Sequence, residues 1–70
     1  MSNIDQVRVR ILPDGRLRAR DAATFLGISE KTLATWRSRG TGPRYIKAAR
    51  IFYYVADLND WLARGGTASG

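Results

Sequence analysis

Residues 21–40, DAATFLGISEKTLATWRSRG, decide how the rest of the chain is read. Two short helical patterns meet at Gly27. In the first, Ala22, Ala23 and Leu26 recur at helical spacing after Asp21, and Phe25 widens their apolar face. The second begins after Ser29, whose hydroxyl can accept from the free N–H groups of the next turn, the signature of an N-cap. Leu33 and Trp36 then stand three apart on one face, with Ile28 packing just before the helix. Gly27 suits a turn that needs positive φ. Glu30, Lys31, Ala34, Thr35 and Ser38 occupy the opposite, polar side. The unit is helix, tight turn, helix. Such a second helix fits the major groove of duplex DNA, where each base pair shows its own donor and acceptor pattern. An ordinary helical hairpin with a solvated face accounts for these residues equally well.

The remaining composition narrows the choice. Seventy residues make one small domain, a size that buries only about 60% of its unfolded surface. The chain has no cysteine and no histidine. Disulfides, cysteine-based zinc sites and the commonest general base are therefore excluded. Asp5, Asp14, Asp21, Glu30, Asp57 and Asp60 are scattered, and no enzyme and no cofactor or metal site is read from them. Lysine and arginine number 12 against 6 acids, for a net charge of +6. Nearly all the cations are arginine, whose planar fork gives two parallel hydrogen bonds to a phosphate. Arg37, Arg39, Arg44, Lys47 and Arg50 form a run without an intervening acid, which favours a polyanion partner over solubility alone. No apolar stretch approaches a membrane span, and the N-terminus lacks a signal peptide's apolar core, so a cytoplasmic location is expected.

Along the chain, residues 1–5 read as a flexible start, 6–64 as the domain, and 65–70 as a disordered tail. Val7, Val9 and Ile11 alternate with Arg8 and Arg10, the pattern of a half-buried strand. Leu12-Pro13-Asp14-Gly15 is turn chemistry, and Arg16 to Ala19 resumes the alternation. An N-terminal β-hairpin is expected, with Arg8 and Arg10 on one strand and Arg16, Arg18 and Arg20 on the other. A solvated strand face explains these arginines more simply than an added phosphate-binding surface. The two central helices are expected at 19–26 and 30–39, the second ending at Gly40. Arg18 or Ala19 stands where a Ser or Thr cap would serve the first. Thr41-Gly42-Pro43 breaks the helix. Residues 44–47 and 50–55 then read as two strands joined through Ala48-Ala49, with Lys47 and Arg50 flanking the tip. A basic hairpin beside a groove-binding helix can reach the minor groove or its phosphates. Phe52, Tyr53 and Tyr54 read as core residues of this hairpin in preference to a stacking platform for single strands. Residues 57–64 form a third helix with Leu58, Trp61 and Leu62 as its apolar stripe, ended by Gly65. Trp36 and Trp61 read as core.

In order and spacing, Ala22-Ala23, Leu26-Gly27-Ile28-Ser29, Thr32-Leu33, Trp36-Arg37, Gly40, Gly42-Pro43, Tyr45-Ile46-Lys47, Tyr53, Asp57-Leu58 and Trp61-Leu62 form a known pattern. Over roughly residues 17–62 the chain resembles the winged helix-turn-helix domains of phage and mobile-element excisionases, related to the MerR-like DNA-binding fold. The resemblance implies an α+β fold: a small winged helix-turn-helix with three short helices and a wing at 44–54. The expected N-terminal hairpin is extra to it. Residues 30–39 become the recognition helix, with Glu30, Lys31 and Thr35 at base edges. Thr32, Arg37, Arg39 and Arg44 hold phosphates, and Lys47 and Arg50 act at the wing. Among specific contacts, Lys31 to a guanine is the one expected first, since lysine and arginine prefer guanine acceptors. The sequence departs from the family at Arg18, where a Ser or Thr cap is usual. It departs again in the wing turn, one residue shorter and Ala48-Ala49 where glycine is usual.

The resemblance further implies a bacterial or phage-encoded factor that binds adjacent sites on double-stranded DNA, cooperatively with other copies. Such factors bend the DNA and tilt a tyrosine integrase toward excision, as recombination directionality factors. Phage and mobile-element transcription regulators share the same pattern. A protein-interaction module, its basic run incidental, is the alternative from another class.

Overall fold

The computed structural model describes residues 8–66. Expectations for residues 1–7 and 67–70, including the flexible start and most of the tail, lie outside them. The described chain runs β1 (Arg16–Arg18), α1 (Ala19–Leu26), α2 (Glu30–Arg39), β2 (Ile46–Ala48), β3 (Arg50–Tyr54) and α3 (Val55–Ala63). Three helices pack on a three-stranded antiparallel sheet of order β1-β3-β2. This is the α+β winged helix-turn-helix architecture that the resemblance implied.

Both central helices occupy the residues their end signals mark. Ser29 Oγ accepts from the Thr32 backbone N–H at 3.0 Å, and it caps α2. Gly27 adopts φ 78, so its N–H reaches the Thr24 carbonyl while the Ile28 N–H reaches Ala23 at 3.0 Å. This pair of bonds satisfies the last carbonyls of α1 and sets Ile28 against the helix it has just left. The same two-bond closure ends α2, through Gly40 and Thr41, and α3, through Gly65 and Gly66. Gly65 and Gly66, assigned by sequence to the tail, thus belong to the cap of α3. Helix α1 starts at Arg18 without a side-chain cap, and Asp21 supplies the first-turn acid.

The core gathers Leu17, Ala22, Ala23, Leu33, Tyr53 and Leu58. Every element except β2 contributes to it. The two alanines let α1 approach its neighbours closely, and each buried leucine stabilises the fold by about 1.5–3 kcal/mol. Trp36 and Trp61 are half-buried at the margin of this core, their rings 5.3 Å apart and tilted by 47°. Gly42 closes over the other side of Trp36. A Cβ built there would lie 2.9 Å from Trp36 Cε3. The following Pro43 is buried.

The N-terminal hairpin does not form. Its turn exists: Gly15 N–H bonds to Leu12 O, and Leu12 N–H to Arg16 O, each at 2.8 Å. Beyond that pair, residues 8–11 form no strand; Val7 lies outside the described residues. The register begun at Leu12 and Arg16 would place Arg8 opposite Arg20, but the chain has already turned into α1 at Ala19. β1 instead pairs with β3, Leu17 opposite Tyr53 and Arg18 opposite Phe52. The wing is also shifted. Its first strand begins at Ile46, and its tip is the single residue Ala49, with Ala48 opposite Arg50. β3 runs straight into α3 at Val55, whose N–H bonds to Gly15 O at 2.8 Å. The third helix therefore starts two residues before the expected Asp57.

Candidate nucleic-acid interface

With Leu33 buried and Trp36 turned inward, helical geometry leaves Lys31, Thr35, Ser38 and Arg39 along the opposite side of α2, and all four are exposed. Glu30 is exposed too, in the first turn, where a carboxylate is favoured by the helix dipole. Thr32 is half-buried, and its hydroxyl accepts from Ser29 Oγ at 2.9 Å. Its oxygen is part of the cap before it can serve any ligand. Thr35 Oγ1 donates to the Lys31 carbonyl at 3.0 Å. That bond fixes the rotamer, and it leaves Thr35 offering outward an acceptor oxygen and a methyl group, the complements of a base amino group and a thymine methyl.

Arg37 behaves differently from the other cations of α2. It is half-buried, and its Nη1 donates to Tyr53 Oη at 3.0 Å. Its guanidinium carbon lies 5.9 Å from the centre of the Tyr45 ring. Arg37 thus braces α2 against the sheet, whatever its remaining N–H groups contact. Burial pushes the Tyr53 phenol above its ordinary value of 10.0, against the opposing pull of the Arg37 hydrogen bond and charge.

The basic run from Arg37 to Arg50 does not form one patch. Arg44 lies with Gly42, Asp57, Asp60, Trp61 and Arg64 around a shallow depression beside α3, where Asp60 is paired with Arg64. Lys47 pairs with Ile51 and Arg50 lies beyond the tip opposite Ala48, so alternation sends the two wing cations to opposite faces of the hairpin. All three of these side chains are exposed. Arg50 enters a larger groove, lined also by Arg8, Val9, Arg10, Arg18, Ala19, Arg20, Asp21, Glu30 and Ile51. For Arg8, Arg10, Arg18 and Arg20 the sequence favoured a solvated strand face over an added phosphate-binding surface. Their spacing suggested a hairpin face, and only the fold brings them to the wing tip. Arg16 is set apart: its Nε lies 2.6 Å from Asp14 Oδ2, and its guanidinium covers the Phe52 ring at 4.4 Å.

Among the described residues, no helix is long and apolar enough to cross a membrane. A family model described as a helix-turn-helix domain matches residues 16–66. Comparison with curated proteins and with solved structures gave no match.

Proposed function

Because the chain belongs to the helix-turn-helix domain family, a family of DNA-binding domains, we propose that it binds double-stranded DNA sequence-specifically and bends it as an excisionase. In this reading α2 enters the major groove. Glu30, Lys31 and Thr35 meet base edges, with Lys31 on a guanine. Thr32, Arg37, Arg39 and Arg44 hold phosphates, and Lys47 and Arg50 do so from the wing. The observation that carries the reading is the exposed polar side of α2, with the Thr35 rotamer held by Lys31 O, beside a basic hairpin. The role is non-enzymatic. It is to shape the DNA beside an attachment site so that a tyrosine integrase excises the element, and it takes place in the cytoplasm of the bacterial host.

The excisionase role rests on the family resemblance over residues 17–62. Bending a site of 20–30 base pairs costs of order 1–6 kcal/mol, more than one small domain comfortably offsets. Several copies bound side by side, or a partner, share that cost. Selection of bound duplexes from a random pool, followed by a bending assay on the selected sites, tests the reading. Closely spaced direct repeats, cooperative occupancy and a bend are the expected result. A single unbent site at a promoter would replace the excisionase with a transcription regulator of the same fold. No enriched sequence would remove sequence-specific binding altogether.

A further inference from the structure

We propose that the groove between residues 8–10, the start of α1 and the wing tip is a second phosphate-binding surface for duplex DNA, outside the recognition helix. Three separated stretches of chain deliver Arg8, Arg10, Arg18, Arg20 and Arg50 to its walls. Two carboxylates, Asp21 and Glu30, line the same groove, too few to balance five guanidiniums. Among the described residues the ion pairs are Arg16–Asp14 and Arg64–Asp60, so none of the five is matched with a carboxylate there. Gathering like charges without pairing them is unfavourable in the free protein, and a polyanion relieves it.

The placement is fixed by packing. Val9 packs against the hydrophobic core, and Arg8 and Arg10 on either side of it are exposed. The apolar residue pins an otherwise irregular segment, so the two cations stand at a set position along the groove. Glu30 is the first residue of α2, and Arg50 follows the wing tip. The groove therefore opens between the two elements assigned to the DNA, where the backbone strand leaving the major groove passes toward the wing. Arginine forks suit phosphate oxygens, and no aromatic ring lines the groove to stack a base, so the surface holds backbone without reading sequence.

This inference rests on the DNA-binding reading above, and the experiment separates the two. The full chain and its Arg8→Gln/Arg10→Gln variant are titrated onto a selected duplex across a salt series. Each lost phosphate contact removes about 0.9 from the slope of log affinity against log salt, so the double variant is expected to be shallower by about 1.8. Base preference is unchanged. Arg8→Lys/Arg10→Lys keeps the slope near that of the unmodified chain. Phosphate-ethylation interference on the unmodified chain is independent of how any variant folds, and it is expected to mark phosphates beyond those flanking the α2 site. An unaltered slope in the glutamine pair, or no such added phosphates, overturns the groove and leaves the recognition helix standing. Failure of the unmodified chain to bind duplex DNA overturns both. Tighter binding to duplex RNA of the same sequence overturns the assignment of the groove to DNA.

Discussion

Gly42 shows how little tolerance a domain of this size has at a single residue. Its φ of +83 is one that side chains rarely adopt, and an added Cβ would come within 2.9 Å of Trp36 Cε3 and 3.1 Å of Trp36 Cβ. Gly42→Ala combines a left-handed penalty of about 1–2 kcal/mol with overpacking of about 1–3 kcal/mol. A loss of roughly 2–5 kcal/mol in urea unfolding is expected, and an unshifted midpoint would mean that the loop and Trp36 do not pack this way. Tyr53 carries a different sensitivity. Its hydroxyl accepts from Arg37, so Tyr53→Phe should lose about 1–2 kcal/mol near neutral pH. Burial raises the folded-state pKa of this phenol above 10.0. The stabilisation it reports is fully present below about pH 10 and is lost as pH climbs through the raised value, because only the unfolded chain then gives up the proton readily. The gap between wild type and Tyr53→Phe should therefore narrow in strong alkali. Parallel stability curves above pH 10 would contradict the burial of that hydroxyl.

At the scale of elements, the wing turn and the recognition helix each make a separable claim. Ala49 sits at φ 66, a left-handed conformation that glycine adopts without a Cβ conflict. Ala49→Gly removes the Cβ conflict of a left-handed residue and should stabilise the domain by about 0.5–1 kcal/mol; thermal melts measure this, and a destabilised variant would place the strain elsewhere. On α2, Lys31→Ala should cost about 1–3 kcal/mol of discrimination at one base position. Arg39→Ala should weaken binding to all sequences and flatten the salt slope by about 0.9. Identical losses on specific and random duplexes for both variants would remove α2 from the groove. The two central helices were legible to the residue because their ends are local chemistry: Ser29, Gly27 and Gly40 act within one turn of themselves. The fate of Arg16 to Arg18 was not legible. Alternation marks a strand and says nothing about its partner, and a good turn at Leu12 to Gly15 suggested the nearer one. The path into α1 at Ala19 cut that hairpin short, and β3 took the strand instead.

For the molecule as a whole, charge was legible as a total and illegible as a distribution. A net +6 points to a polyanion, yet the apparent basic run is dispersed: Arg44 lies in a depression with Asp57 and Asp60, Arg50 in a groove with the N-terminal arginines, and Arg37 against Tyr53. Sequence distance hid both the inward turn of Arg37 and the meeting of Arg8 with Arg50, since each depends on how β3 is seated. That strand lies in the middle of the sheet, and it is also the last strand among the described residues. While the polypeptide is being synthesised, Leu17 has been made for some time before its partner Tyr53 exists, and the helix-turn-helix emerges with neither Tyr53 nor Leu58 to close the core. Pairings this distant in sequence are late to pay back the entropy of bringing them together. A message cut short before Tyr53 would thus release a chain that possesses every residue of α2 and lacks the two core side chains, Tyr53 and Leu58, that close over it. The consequence falls on the half-made chain: limited proteolysis of a fragment ending before Tyr53 should cut it within α1 and α2 under conditions that leave those helices intact in the full chain.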